Sequence, residues 1–113
     1  MAHSLKIISK RSTFVLLREK GEFIRGKAFN VQFLEDSNLK DIIFVGFTAT
    51  KKLGKSVKRN KAKWIMRELA RKVFTKYGKI NSYYVLIAKS SIFDIPFDLQ
   101  ENELKKLISW LTN

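Results

Sequence analysis

Apolar residues change their spacing several times along this chain, and each change marks an element. Over residues 11–20, Phe14 and Leu17 fall about one helical turn apart, and Gly21 follows where a short helix would stop. From residue 27 to 34 the period drops to two. Phe29, Val31 and Phe33 alternate with Ala28, Asn30 and Gln32, as on a half-buried strand. Polar residues 35–41 predict a loop, and the β-branched and aromatic run 42–50 predicts a second strand, paired with the first as an antiparallel hairpin. On it, Ile43, Val45 and Phe47 are expected on the core side, and Phe44, Gly46, Thr48 and Thr50 on the other.

A helical period then holds over residues 57–77, with Ser56 as its cap and Gly78 as its terminator. Ala62, Ile65, Met66, Leu69, Val73 and Tyr77 make one stripe, and Asn60, Lys63, Trp64, Arg67 and Arg71 lie opposite. Residues 83–88 carry apolar side chains for both faces, which predicts a central strand. A loop holding the only proline, Pro96, leads to Asp98 and Glu101 at capping-box spacing. The helix they open buries Leu104, Leu107, Ile108 and Leu111. The expected order is helix-strand-strand-helix-strand-helix. This is an α+β chain, and no repeat or linker divides residues 1–113, so one domain is expected.

Composition narrows the function. A chain of 113 residues has room for one core, and 45% hydrophobic content with nine Phe packs despite a net charge of +13. Cysteine is absent, which removes disulfides and thiolate metal sites. No signal-peptide core or membrane-length run occurs, so a cytoplasmic protein with no membrane partner is expected. His3 is the single histidine, and the five glycines are scattered rather than gathered into a phosphate loop. The acids lie in the 35–41 loop and in residues 94–103, placed for solubility and capping. No catalytic residue and no protein-held metal site is expected.

Charge points to a partner. Residues 51–79 hold twelve Lys and Arg against one acid, Glu68, while apolar residues recur through the same stretch at helical spacing. An amphipathic element with a cationic outer face suits phosphate backbones. Lys51, Lys52, Lys55 and Lys58 fall before or at a helix N-terminus, where the macrodipole adds to anion binding. Arg59 and Asn60 offer defined hydrogen-bond geometry, while the lysines act as point charges. Trp64 on this side either stacks on RNA or is buried by local packing.

The stretch Val45-Gly-Phe-Thr-Ala-Thr-Lys-Lys-Leu-Gly-Lys-Ser-Val-Lys-Arg-Asn-Lys-Ala-Lys63 resembles the hallmark of the bacterial ribonuclease P protein subunit. In that family a strand ends in Lys-Lys-x-Gly, and an Arg-Asn-Arg signature opens a helix. Arg11, Phe14 and Gly21 resemble the family's first helix, and the hairpin, the strand at 84–89 and the last helix follow in family order. Three positions depart from the pattern: Lys61 stands for the third Arg of the signature, Trp64 for a basic residue and Arg18 for an aromatic.

The resemblance implies a two-layer α/β sandwich of ribosomal-protein-like type with a left-handed βαβ crossover. It implies a non-catalytic subunit of a ribonucleoprotein endoribonuclease that removes the 5′ leader of precursor tRNA. The RNA would perform the hydrolysis with Mg²⁺, bound mainly by that RNA and not by the protein alone, and the protein would pair with it 1:1. Catalytic-RNA contacts are then expected at Lys51, Lys52, Lys55, Lys58, Arg59, Asn60, Lys61, Lys63 and Arg67. Leader contacts are expected at Phe14, Arg18, Asn30, Gln32, Thr48, Thr50 and Lys89. Phe14 has two readings, a stacking plane for a base or a core residue joining helix to sheet. The alternative function is a generic RNA-binding or ribosome-associated protein.

Overall fold

In the computed structural model, which describes residues 4–112, the chain runs β1 (Ser4–Ile7), α1 (Arg11–Lys20), β2 (Glu22–Arg25), β3 (Phe29–Glu35), β4 (Ile42–Thr48), α2 (Ser56–Tyr77), β5 (Ser82–Ala88) and α3 (Phe97–Thr112). Single 3-10 turns occupy Lys51–Leu53 and Ser90–Phe93. His3 lies outside the described residues. The strands form one sheet in the order β1-β4-β5-β3-β2. The central strand is β5, as its two-sided apolar content predicts, and Tyr84, Val85 and Leu86 on it are all buried.

The expected hairpin does not form. β3 pairs antiparallel with β5, and β4 pairs parallel with β5, so the two predicted partners lie on opposite flanks of one strand. Alternation identifies a strand without naming its neighbour, and a parallel pair needs a crossover long enough to return the chain. Here α2 is that crossover. Two further strands went unforeseen, β1 and β2, each of four residues and mixed polarity. β1 joins β4 in parallel through Leu5↔Ile43, a pairing with no local sequence signal.

One sheet face carries Phe29, Val31, Phe33, Ile43, Val45, Tyr84 and Leu86. It is covered by Ala62, Met66, Leu69, Ala70, Val73 and Phe74 of α2 and by Leu104, Leu107 and Ile108 of α3. These two layers hold the main core. Tyr77 is not in it: its ring is exposed beneath the Lys105 ammonium, 5.0 Å away, and Phe74 takes the core position against Tyr84. Neither predicted cap acts as one. Ser56 is the first residue of α2, and Asp98 lies inside the first turn of α3, where Leu99 and Gln100 both donate to the Pro96 carbonyl at 3.1 Å.

The opposite face carries both polar and apolar side chains. Leu34, Phe44, Tyr83, Val85 and Ile87 project there and pack with Ile8, Phe14 and Leu17, so α1 covers part of it. Asn30, Gln32 and Thr48 share this face, half-exposed, while Thr50 lies beyond the end of β4. Gly21 does end α1, but by size rather than by a left-handed turn. A Cβ there would come within 2.5 Å of the Leu17 carbonyl oxygen.

Tyr84 ties the layers together. Its ring lies 5.1 Å from Phe33 and 4.4 Å from Phe74, and its hydroxyl accepts the Lys79 N–H at 3.0 Å. Burial pushes the phenol up to about 12 from its ordinary 10.0. Tyr84→Phe should therefore lower stability by about 1 kcal/mol at neutral pH. The phenol's contribution is intact below the unfolded value of 10.0 and is lost as pH rises toward about 12. Paired denaturation curves should show a constant gap between parent and variant up to about pH 9, then a gap that closes above pH 10 and reverses sign as pH nears about 12.

Candidate nucleic-acid interface

The basic segment is held out by a loop that only its sequence permits. Leu53 is buried and anchors the 3-10 turn that carries exposed Lys51 and Lys52. Gly54 follows at φ +125° and ψ −155°, a region open essentially to glycine alone. Lys55 returns to extended backbone as the residue before α2. This helix has 22 residues, no side-chain cap and no acid in its first turn, so its N-terminal dipole meets no negative group of its own. The charge around it is wholly cationic, an arrangement suited to phosphate.

Along α2 the outward side presents Asn60, Lys61, Lys63, Trp64 and Arg67, all exposed. The reading of Trp64 as packed away is overturned: 64% of it is open to solvent. Arg59 is half-buried, and its Nε is shielded without a hydrogen-bond partner among the described residues. Lys58 lies 5.4 Å over the Phe93 ring and Arg67 5.9 Å over the Phe47 ring, so rings position these cations without neutralising them. Only two of the cations in 51–79 meet a carboxylate among the described residues: Arg71 with Glu68 at 2.6 Å and Lys79 with Glu35 at 3.0 Å. The rest of the field is uncompensated.

A cleft of about 430 Å³ opens where β4 ends, lined by Ile7, Ile8, Phe14, Phe47, Thr48, Ala49, Lys63 and Arg67. It joins residues expected in separate sites, since Phe14 and Thr48 belong to the leader set and Lys63 and Arg67 to the RNA set. Phe14 reaches it across Gly46, where a Cβ would stand 2.6 Å from the ring. The ring is half-buried and also lines the opening, so packing and exposure are both true of it. From Thr48 a row runs across the sheet through Ile87 and Asn30 to Arg25, and Gln32 sits in the next row beside Val85 and Phe23.

The other predicted residues fall further out. Lys89 donates its ammonium to the Gly26 carbonyl at 2.8 Å, and Asn30 Oδ1 accepts the Gly26 N–H at 3.3 Å, tying that end of the sheet. Arg18 is exposed on α1 and does not line the cleft, and Thr50 accepts the Leu53 N–H at 3.1 Å at the start of the turn. Phe47, Ile7 and Ile8 are cleft residues the sequence did not mark. Phe47 reads as core by alternation, and the isoleucines are placed by an unforeseen strand. Among the described residues no three acids or histidines gather at one point.

A family model described as Ribonuclease P matches residues 3–112. The chain is 38% identical over 89 residues to the "Ribonuclease P protein component" of Caulobacter vibrioides, an alignment covering 77% of this chain and 59% of that relative's length. It is 34% identical to the component of Bartonella quintana, covering 89% of this chain and 79% of the relative. Among solved structures it superposes on the RNase P protein of Staphylococcus aureus with TM-score 0.76 at 26% identity, over 95% of this chain and 97% of that one. The RNase P protein from Thermotoga maritima gives TM-score 0.78 at 24% identity, over 91% and 94%, a likeness of fold.

The strained loop gives a direct test of this geometry. Gly54→Ala should lower stability by about 1–3 kcal/mol, since an added Cβ forces the backbone out of its region. A melting curve of the variant checks this, and an unchanged midpoint would mean the loop adopts another conformation.

Proposed function

The chain belongs to the ribonuclease P protein family, and from that premise we propose that it is the protein subunit of the ribonucleoprotein endoribonuclease. It binds the catalytic RNA and the 5′ leader of precursor tRNA and promotes removal of the leader. The observation that carries this reading is the shared cleft, in which the Phe14 ring and Thr48 stand beside Lys63 and Arg67. An unpaired strand needs a stacking plane together with cations that follow its backbone, and this opening offers both.

The division of labour follows from the residues. Lys51, Lys52, Lys55, Lys58, Arg59, Asn60 and Lys61 engage the phosphates of the catalytic RNA, with the helix N-terminus adding to their field. Asn30, Gln32 and Thr48 donate and accept hydrogen bonds without demanding one base, which suits leaders of varied sequence. Hydrolysis belongs to the RNA, which supplies the Mg²⁺ sites, and the protein acts 1:1 with it in the cytoplasm. A generic RNA-binding or ribosome-associated role would need the charge but not a cleft that combines it with Phe14.

Reconstitution tests this reading. RNA-free protein should leave precursor tRNA intact, and the same protein with ribonuclease P RNA and Mg²⁺ should yield mature 5′ ends faster than the RNA alone. Leader removal by the protein by itself, or no effect on the RNA, refutes the assignment.

Phe14→Ala should weaken the holoenzyme's hold on precursor tRNA by roughly 1–3 kcal/mol, the worth of one stacked base. Its affinity for mature tRNA, which has no leader, should stay the same. Because the ring is only half-buried, the loss of stability should fall below the ~3–5 kcal/mol of a fully buried Phe. Equal losses for both tRNAs in a binding titration would assign Phe14 to packing alone.

A further inference from the structure

Trp64 is a large aromatic side chain placed in the middle of the cationic field and left mostly exposed. It is 64% exposed, and Val57, 79% exposed, stands two turns before it in the same line. Its neighbours on the helix surface at three and four residues' distance are Asn60, Lys61, Arg67 and Glu68. Phe47, Phe93, Phe97 and Tyr77 each lie beneath a cation, whereas no ring, cation or hydrogen-bond partner meets the Trp64 indole among the described residues. Most of the indole is therefore open to solvent. Trp64 is not one of the residues lining the cleft, so the proposed leader groove does not account for it.

Charge identifies the occupant. Helix α2 carries eight Lys and Arg, and its single acid, Glu68, is engaged by Arg71. A second copy of this chain docking here would bring the same cations face to face, at a high electrostatic cost. An RNA brings anions to those cations and, wherever a base is unpaired, a flat apolar partner for the indole. Trp110 supplies the contrast. It is 68% exposed as well, but it borders a groove that Asp94 and Glu103 share with Arg25, Lys27 and Lys106, where the charges are mixed.

We propose that Trp64 is a stacking platform for an unpaired base of the RNA bound by α2, outside the leader cleft, with Asn60 and Lys61 holding the flanking phosphates. This rests on the reading of the chain as the RNA-binding subunit. It assigns a base contact to a helix otherwise equipped only for backbone contacts. Stacking is an area effect, so it resists salt, while the phosphate contacts around it do not.

The experiment uses the full chain with Trp110→Phe, which leaves Trp64 as the only one of two tryptophans. Titration with ribonuclease P RNA should quench Trp64 fluorescence and shield it from acrylamide. Trp64→Ala should weaken RNA binding about 5- to 150-fold with an unchanged salt slope. Trp64→Phe should restore most of the loss. Trp64→Lys should stay weaker than the parent at high salt even though its salt slope steepens by about one unit. All three substitutions at Trp64 are tolerated by an exposed helical site, and a circular dichroism spectrum verifies each fold. Parent-like affinity in Trp64→Ala, or full restoration by Lys, overturns the stacking inference alone. A change in self-association without a change in RNA affinity makes this face an interface between copies and also overturns it. Failure of the unaltered chain to bind the RNA overturns the proposed function and this inference together.

Discussion

Parallel pairing of β4 with β5 is the constraint from which the rest of the molecule follows. Two parallel strands cannot be joined by a tight turn, so the chain must leave β4, cross a face and return. The crossover here is α2, whose 22 residues span about 33 Å. Its first turns must therefore lie near the end of β4 where Phe47, Thr48 and Ala49 emerge. The same pairing puts β5 in the centre, where Tyr84 packs between Phe33 and Phe74. Core and cationic surface are thus two sides of one crossover, and neither can be moved without the other.

A chain of charge +13 must also tolerate its own repulsion. The twelve cations of 51–79 stand on a turn, on the outer side of α2 and just past its end, while Ala62, Met66, Leu69, Ala70, Val73 and Phe74 fasten the inner side to the sheet. Ion pairs do little to relieve the repulsion, because the two formed in this segment are surface pairs of small worth. What holds the cations in place is hydrocarbon, with Lys58, Arg67 and Lys72 resting over Phe93, Phe47 and Phe97. Charges arranged this way keep their field for a polyanion instead of spending it internally.

Where physics is local, the sequence was legible. The limits of α1, the body of α2, the central place of β5 and the buried stripe of α3 all follow from periodicity, because each is set by side chains within a few residues. Partner choice is not local. The expected β3–β4 hairpin failed because β5, arriving after α2, separates the two strands, and β1 was missed because Ser-Leu-Lys-Ile, although it alternates, is only four residues long and its partner β4 lies far along the chain. The cationic half of the site could be found from charge clustering alone. The cleft could not, since Ile7 and Ile8 reach it only through the β1–β4 pairing, and Phe47 alternates as a core residue should.

Phe47 shows why the cleft belongs to both halves of the site. It packs at the edge of the main core, it lines the opening, and Arg67 lies over its ring. A guanidinium held against a ring loses less conformational freedom on meeting a phosphate than one that waves in solvent. Phe14 is fixed in the same way, since Gly46 leaves just enough room for its ring to lie against the sheet and still edge the opening. The Phe14 ring and the Arg67 guanidinium are therefore positioned by the same strand, β4, through its adjacent residues Gly46 and Phe47. Any substitution that shifts this strand end must displace ring and charge together, so the shape of the cleft and the integrity of the core are coupled through it.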